Sequence, residues 1–113
     1  MSAGIYKMLL AQGATFNLAL TYRDPAGALI DLTGYSAVLR AAVSKGEVPV
    51  LQASTGNGQI VIEGALGVVM LDLPAALTAT LAPGQYVYQL DLTSPGGQVT
   101  RLLEGALLVD GQV

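Results

Sequence analysis

The chain has 113 residues, of which 52% are apolar and only 12% are charged, and its net charge is −3. This length suits one domain with a real core. The absence of cysteine and histidine excludes disulfides, thiolate chemistry and imidazole catalysis, and the five basic residues form no cluster that could bind nucleic acid.

The first 13 residues form an apolar lead-in to the domain. Its apolar side chains are Ile5, Tyr6, Met8, Leu9 and Leu10. We expect this lead-in to be either a first strand or an arm that packs on a neighbouring molecule, and the sequence leaves both possibilities open. Residues 14–113 are then predicted to form a single β-sandwich domain.

The next segments alternate between apolar and polar residues, which is the pattern of strands with one buried face. Residues 15–23 are the clearest case, and the side chains predicted to face inward are Phe16, Leu18, Leu20 and Tyr22. The turn residues 24–27 follow, and residues 28–32 are predicted to form a short strand that closes a hairpin.

Further strands are predicted along the middle of the chain. Residues 35–43 form a longer strand, and residues 48–53 are placed at a sheet edge because Pro49 cannot donate a hydrogen bond to a neighbouring strand. Residues 59–63 and 68–73 form two more strands. Residues 74–81 break the pattern and predict one or two helical turns.

The central element is the strand at residues 86–92, with Tyr86, Tyr88, Leu90 and Leu92 facing inward. It follows a corner made by Leu81, Pro83, Gly84 and Tyr86, which has the features of the tyrosine corner of immunoglobulin-like sandwiches. A last strand is predicted over residues 98–109, and Gly105, which interrupts it, is the predicted position of a bulge. The fold predicted is an all-β, antiparallel, immunoglobulin-like sandwich of seven to eight strands with one short helical turn.

The scarcity of charge predicts either an unusually neutral surface or an exterior that other molecules partly cover. We favour the second alternative, because large exposed apolar patches are rare on monomers. The possible interface residues are Tyr6, Met8, Leu9, Leu10, Tyr35, Arg40 and Arg101. For the two arginines, an alternative is that their stems cover apolar surface while their charged ends stay in water. The longest uncharged run, residues 73–90, contains Pro74, Pro83 and Gly84, so we expect no membrane span.

Acidic residues are the remaining candidates for chemistry. Asp24 and Asp31 could approach one another as a calcium site requires, and Asp72 and Asp91 could form a carboxylate pair. Turn-forming and solvent-exposed roles explain Asp24 and Asp31 better. Asp72 and Asp91 fall on outward positions of two strands, and a sandwich of this size has little room for the cleft that catalysis would need. We therefore predict no catalytic residues, no metal, no cofactor and no small-molecule substrate.

Several segments together carry a resemblance to a known family: residues 3–6, 12–16, 24–27, 31–35, 81–88 and 99–105. The chain resembles the small immunoglobulin-like proteins and N-terminal domains encoded in the structural-gene regions of tailed bacteriophages and prophages. The resemblance implies a non-enzymatic virion component of the baseplate, tail-fibre adaptor, neck or capsid-decoration type. It also implies copies of itself or other virion proteins as partners.

The alternative of a different class is a carbohydrate- or receptor-binding module whose loops carry the site. Exposed aromatic side chains in the loops would distinguish it. The absence of tryptophan counts against this alternative.

Overall fold

The computed structural model describes residues 4–23 and 26–111 and contains two β-sheets. Nine strands follow one another along these residues, with a 3-10 turn at Gly64–Leu66 and one helical turn, α1, at Ala75–Thr78. The strands are β1 Gly4–Ile5, β2 Met8–Ala11, β3 Phe16–Thr21, β4 Ser36–Ala42, β5 Leu51–Ser54, β6 Ile60–Glu63, β7 Val68–Leu73, β8 Gly84–Thr93 and β9 Val99–Asp110.

The larger sheet has six strands in the order β1-β9-β8-β4-β5, and β2 also pairs with the outer edge of β9. All neighbours in this sheet are antiparallel except β1 and β2, which run parallel to β9. The lead-in is therefore built as two edge strands of this sheet. Pro49 precedes β5, which forms the opposite edge.

The smaller sheet has three antiparallel strands in the order β3-β7-β6. The connection between β5 and β6 crosses from the larger sheet to the smaller one. Asn57 organises this crossing, because its side-chain oxygen accepts hydrogen bonds from the backbone N–H groups of Ser54 and Gln59, each at 3.1 Å.

One hydrophobic core fills the space between the two sheets. All four side chains predicted to face inward from the central strand are buried there. Leu39 and Ala41 of β4 join them from the same sheet, and Val69, Leu71 and Leu73 of β7 join them from the facing sheet. The inward residues of β3 are half-buried and pack against this cluster. The two layers confirm the predicted immunoglobulin-like sandwich.

A network of hydrogen bonds holds the corner before β8. The Tyr86 hydroxyl donates to the Ala82 carbonyl oxygen at 2.6 Å, while the ring is buried beside Leu81. The fully buried Thr78 hydroxyl donates to the Ala14 carbonyl oxygen at 2.8 Å. The Gln12 amide donates to the Leu81 carbonyl oxygen at 2.8 Å. These bonds satisfy polar groups that burial would otherwise leave without partners.

The lead-in requires a correction to the predicted interface. Met8 and Leu10 are each only 1% exposed, because alternation along β2 directs them into the core of their own molecule. They are therefore not available to a partner. Leu9, between them, is 65% exposed and remains a candidate.

The strand predicted at residues 28–32 is wrong. This segment makes one isolated bridge, between Leu29 and Arg23, and then its backbone bonds to two different neighbours. Ile30 donates to the Tyr22 carbonyl oxygen, and Leu32 donates to that of Gly64. Asp24 and Pro25 of the predicted turn lie outside the described residues. Across the described part of the chain, no helix has the length and apolar character to cross a membrane.

Candidate functional site

A concave feature lies on the outer face of the six-stranded sheet, where residues 43–50 pass from β4 to β5. It is an open cavity of about 470 Å³. The sheet supplies Ala42 and Val87, and the loop supplies Lys45, Glu47 and Pro49. The cavity therefore combines an apolar part with charged side chains at its margins.

Three of the five basic residues of the chain line this cavity: Arg40, Lys45 and Arg101. Strand register explains why two of them converge. Arg40 lies opposite Gln89, which in turn lies opposite Glu104. Arg101 lies three residues before Glu104 on the same strand, and a register shift between them places both side chains on this face. Arginines that are far apart in the sequence thus share one surface.

Arg101 is fixed in place by two carboxylates. Its Nε donates to Asp91 Oδ1 at 3.2 Å, and its Nη1 lies 3.7 Å from Glu104 Oε2. The Gln89 amide also donates to Asp91, at 3.0 Å. Asp91 is only 7% exposed although its strand position faces outward. Since a buried carboxylate requires such partners, Arg101 is both a surface residue and a structural one.

The register of β8 and β9 creates this pair. Leu90 lies opposite Leu103, but Asp91 lies opposite Arg101, so Leu102 is an extra residue at a bulge. The bulge brings Arg101 opposite Asp91. The sequence indicated that Gly105 could be the irregular position. Gly105 serves another purpose, because a Cβ there would lie 2.6 Å from the Tyr6 carbonyl oxygen.

Beside Gly105, the Tyr88 hydroxyl donates a hydrogen bond to the Tyr6 carbonyl oxygen. This bond ties the lead-in to β8 across β9. Burial of the Tyr88 hydroxyl raises its pKa to about 12, and the neighbouring Tyr6 acts in the same direction. Since the free side chain ionises near pH 10, the folded state holds this proton more tightly than the unfolded state does.

This shift predicts a pH dependence of stability. The contribution from Tyr88 is fully present below about pH 10 and is lost as pH rises toward about 12. Urea denaturation followed by circular dichroism should show the midpoint falling across that window. Below about pH 10, the Tyr88→Phe variant should be about 1 kcal/mol less stable than the wild type. Between about pH 10 and about pH 12, it should lose less stability than the wild type does.

Tyr35→Phe is the matched control, because Tyr35 is a half-buried tyrosine that also packs against the core. It should keep the decline of the wild type. An equal decline in the Tyr88→Phe variant and the wild type would contradict the assignment.

The remaining predicted interface residues lie apart from one another. Tyr6 is 42% exposed at the edge formed by the lead-in, while Tyr35 is half-buried against the core and offers little surface to a partner. Arg40 is exposed on the sheet face. Asp31 uses its carboxylate locally, accepting bonds from the Thr33 N–H and hydroxyl, which lower the pKa of Asp31. Within the described residues, no three acidic side chains group as metal ligands.

The sequence missed the apolar part of the exterior near the cavity. Val43, Val48 and Val50 of the loop are 64%, 81% and 48% exposed. The spacing of these valines around Pro49 follows neither the strand period nor the helix period, so the sequence gave no periodic signal for them. The feature that could have indicated an exposed loop here is the short, charged sequence at residues 44–47.

The protein is an immunoglobulin-like β-sandwich. One of its faces carries both charged and apolar side chains. No family model matches the chain, and no curated protein shows significant similarity to it.

Two of the solved structures that resemble it have low sequence identity to it. CopC from Methylosinus trichosporium OB3b has 17% identity and a TM-score of 0.49, with 95% of this chain and 86% of that chain covered. Extracellular domains 3–5 of Drosophila OTK have 16% identity and a TM-score of 0.39, with 91% of this chain and 32% of that chain covered.

Proposed function

We propose that this protein is a non-enzymatic structural subunit of a tailed-phage virion, an assembly module that binds copies of itself or other virion proteins. The observation that carries the proposal is the surface around the cavity. Three of the five basic residues line the cavity, and three exposed valines belong to the same 43–50 segment that supplies part of its wall. Apolar side chains combined with arginine are the composition typical of protein interfaces.

The resemblance of the sequence to structural-gene products of tailed phages supplies the kind of partner. The low charge content supports the same reading, since a surface covered by neighbouring subunits needs few charges for solubility. The place of action is then the virion, after assembly in the host cytoplasm.

The alternative of a carbohydrate-binding module finds less support on the surface. Of the six aromatic residues, all within the described ranges, Tyr6 is the one that is exposed. Sugar-binding surfaces depend on exposed aromatic rings that stack on the ligand. A glycan array tests this alternative directly.

The proposal is tested by asking whether the protein enters particles and binds their components. Mass spectrometry of gradient-purified particles from the encoding phage or induced prophage should detect it. Co-expression with tagged products of the flanking structural genes should recover it in a complex. Absence from the particles together with no binding to any flanking product would refute the proposal.

A matched pair of variants identifies the surface that binds. Val48→Asp places a charge on an 81%-exposed valine of the loop that forms part of the cavity wall, and it should weaken complex formation at least tenfold. Val99→Asp makes the same change at a 61%-exposed valine at the start of β9 and should bind as the wild type does. Equal binding by both variants would place the interface elsewhere.

A further inference from the structure

We propose that two copies of this protein associate through β3, which pairs antiparallel with β3 of the second copy across a two-fold axis at Ala19. The pairing joins the two three-stranded sheets into one continuous sheet. This inference rests on the proposed function for the expectation that copies bind one another, and it names the strand that binds. The cavity on the larger sheet of each copy stays open to a different partner.

The outer edge of β3 is unpaired. This strand stands at the edge of the smaller sheet, and β7 is the one strand of the described chain that pairs with it. The Tyr22 N–H donates to the Gly67 carbonyl oxygen at 2.7 Å and continues that register, so even-numbered residues bond to β7. Antiparallel alternation then directs the backbone groups of Asn17, Ala19 and Thr21 away from β7. They form a row of donors and acceptors that another strand can bind.

The core is also incompletely covered beside β3. Its inward residues Phe16, Leu18 and Leu20 are half-buried. The residues opposite them on β7 are buried, with exposed fractions of 0% for Leu73, 3% for Leu71 and 1% for Val69. Since both sets share the same rows of one sheet, the difference arises on the outer side of β3, where no described strand follows. A strand that pairs there would cover the apolar row together with the backbone groups.

The other edge strands carry features that oppose such pairing. β5 has four residues, follows Pro49, and has its Gln52 carbonyl oxygen bonded by the Asn57 side-chain amide at 3.4 Å. The lead-in edge is interrupted between β1 and β2, where Lys7 is exposed. β6 has four residues and ends at Glu63. In contrast, β3 has six residues without a charge or a proline, so it lacks the usual devices that prevent edge pairing.

β3 itself is the strand that this edge requires. The occupant must be extended, must have a free backbone edge, and must carry apolar side chains at alternate positions. Pairing about Ala19 places Asn17 opposite Thr21 of the second copy and Leu18 opposite its Leu20. Each outward-directed residue then donates one backbone bond and accepts one, and leucine meets leucine on the core side. A shift by one residue would oppose these groups to even-numbered residues, whose backbone groups already bond to β7.

The two-fold axis determines the kind of assembly. A contact between identical strands is isologous and closes, so association should stop at the dimer. One strand edge makes a small contact, which should need high protein concentration. Because β3 contains no charged residue, added salt should not dissociate the dimer.

Analytical ultracentrifugation over a range of protein concentrations tests the interface. The wild type should show a monomer–dimer equilibrium that is the same at low and high salt. Ala19→Lys should raise the dimer dissociation constant roughly tenfold or more, because the two lysines face each other at the axis. Val61→Lys is the matched control, since Val61 belongs to the same row as Ala19 on the other edge of this sheet. It should dimerise as the wild type does.

Cross-linking tests the register. The chain has no cysteine, so Ala19→Cys introduces a single thiol. Its Cα should lie about 5.5 Å from that of the second copy, a distance that a disulfide spans. Oxidised glutathione should therefore produce a covalent dimer faster than it does with Val61→Cys. Asn17→Cys should cross-link with Thr21→Cys in a mixture and more slowly alone.

Four outcomes would overturn the inference: a monomeric wild type at high concentration, species beyond the dimer, normal dimerisation of Ala19→Lys, or equal cross-linking of Ala19→Cys and Val61→Cys. Circular dichroism of every variant establishes that loss of association is not loss of folding. Detection in purified particles is measured separately, so a monomeric protein that still enters particles refutes the β3 dimer alone. A dimer that is absent from particles refutes the virion role alone.

Discussion

Replacing Leu10 by alanine should destabilise the protein by about 3 kcal/mol, the usual cost of emptying a fully buried leucine site. Leu10 is 1% exposed and belongs to the core cluster, on an edge strand held by one neighbour. Urea denaturation at low protein concentration gives the free energy of unfolding. The slope with denaturant should not change.

The adjacent residue provides the control for this prediction. Leu9→Ala removes the same atoms from a side chain that is 65% exposed, and it should change the free energy of unfolding by less than about 0.5 kcal/mol. A large loss in both variants, or in neither, would show that β2 does not alternate between core and solvent.

Replacing Arg101 by alanine should cost about 2 to 3 kcal/mol, because Asp91 would remain buried without its cation. This value lies below the usual cost of breaking a buried pair, since the Arg101 side chain is 45% exposed and water can partly replace it. Arg40→Ala, on the neighbouring strand row, should cost less than about 0.5 kcal/mol. Thermal and urea unfolding measure both.

A second variant separates loss of the pair from loss of packing. Asp91→Leu combined with Arg101→Met removes both charges and should recover most of the stability. If the double variant is as unstable as Arg101→Ala, the unpaired charge of buried Asp91 is not the cause of the loss.

Local patterns predicted the parts of this fold that depend on alternation. The inward set of β8 could be identified because tyrosines and leucines alternate with polar residues over a long strand, and Pro83-Gly84 marks where the strand begins. The two-sheet sandwich followed from several such strands. Alternation in β2 was harder to recognise, since Leu9 is as apolar as the two residues that flank it.

The parts that could not be predicted depend on how distant segments pair. Asp91 was assigned to solvent, and only the bulge at Leu102 brings Arg101 opposite it. Residues 28–32 were assigned to a strand, yet their backbone groups bond to Tyr22 and Gly64. Convergence of Arg40 and Arg101 on one face likewise requires the register of three strands, which no short stretch of sequence contains.

The parallel pairing of β2 with β9 has a consequence for synthesis on the ribosome. Met8 lies opposite Leu107, about 100 positions later, so this edge closes only when nearly all the described chain has emerged. Until then Met8 and Leu10 have no strand to cover them, and the nascent polypeptide exposes this apolar segment. The polypeptide would therefore be protected from aggregation only when β9 leaves the exit tunnel of the ribosome, and not when β2 is translated.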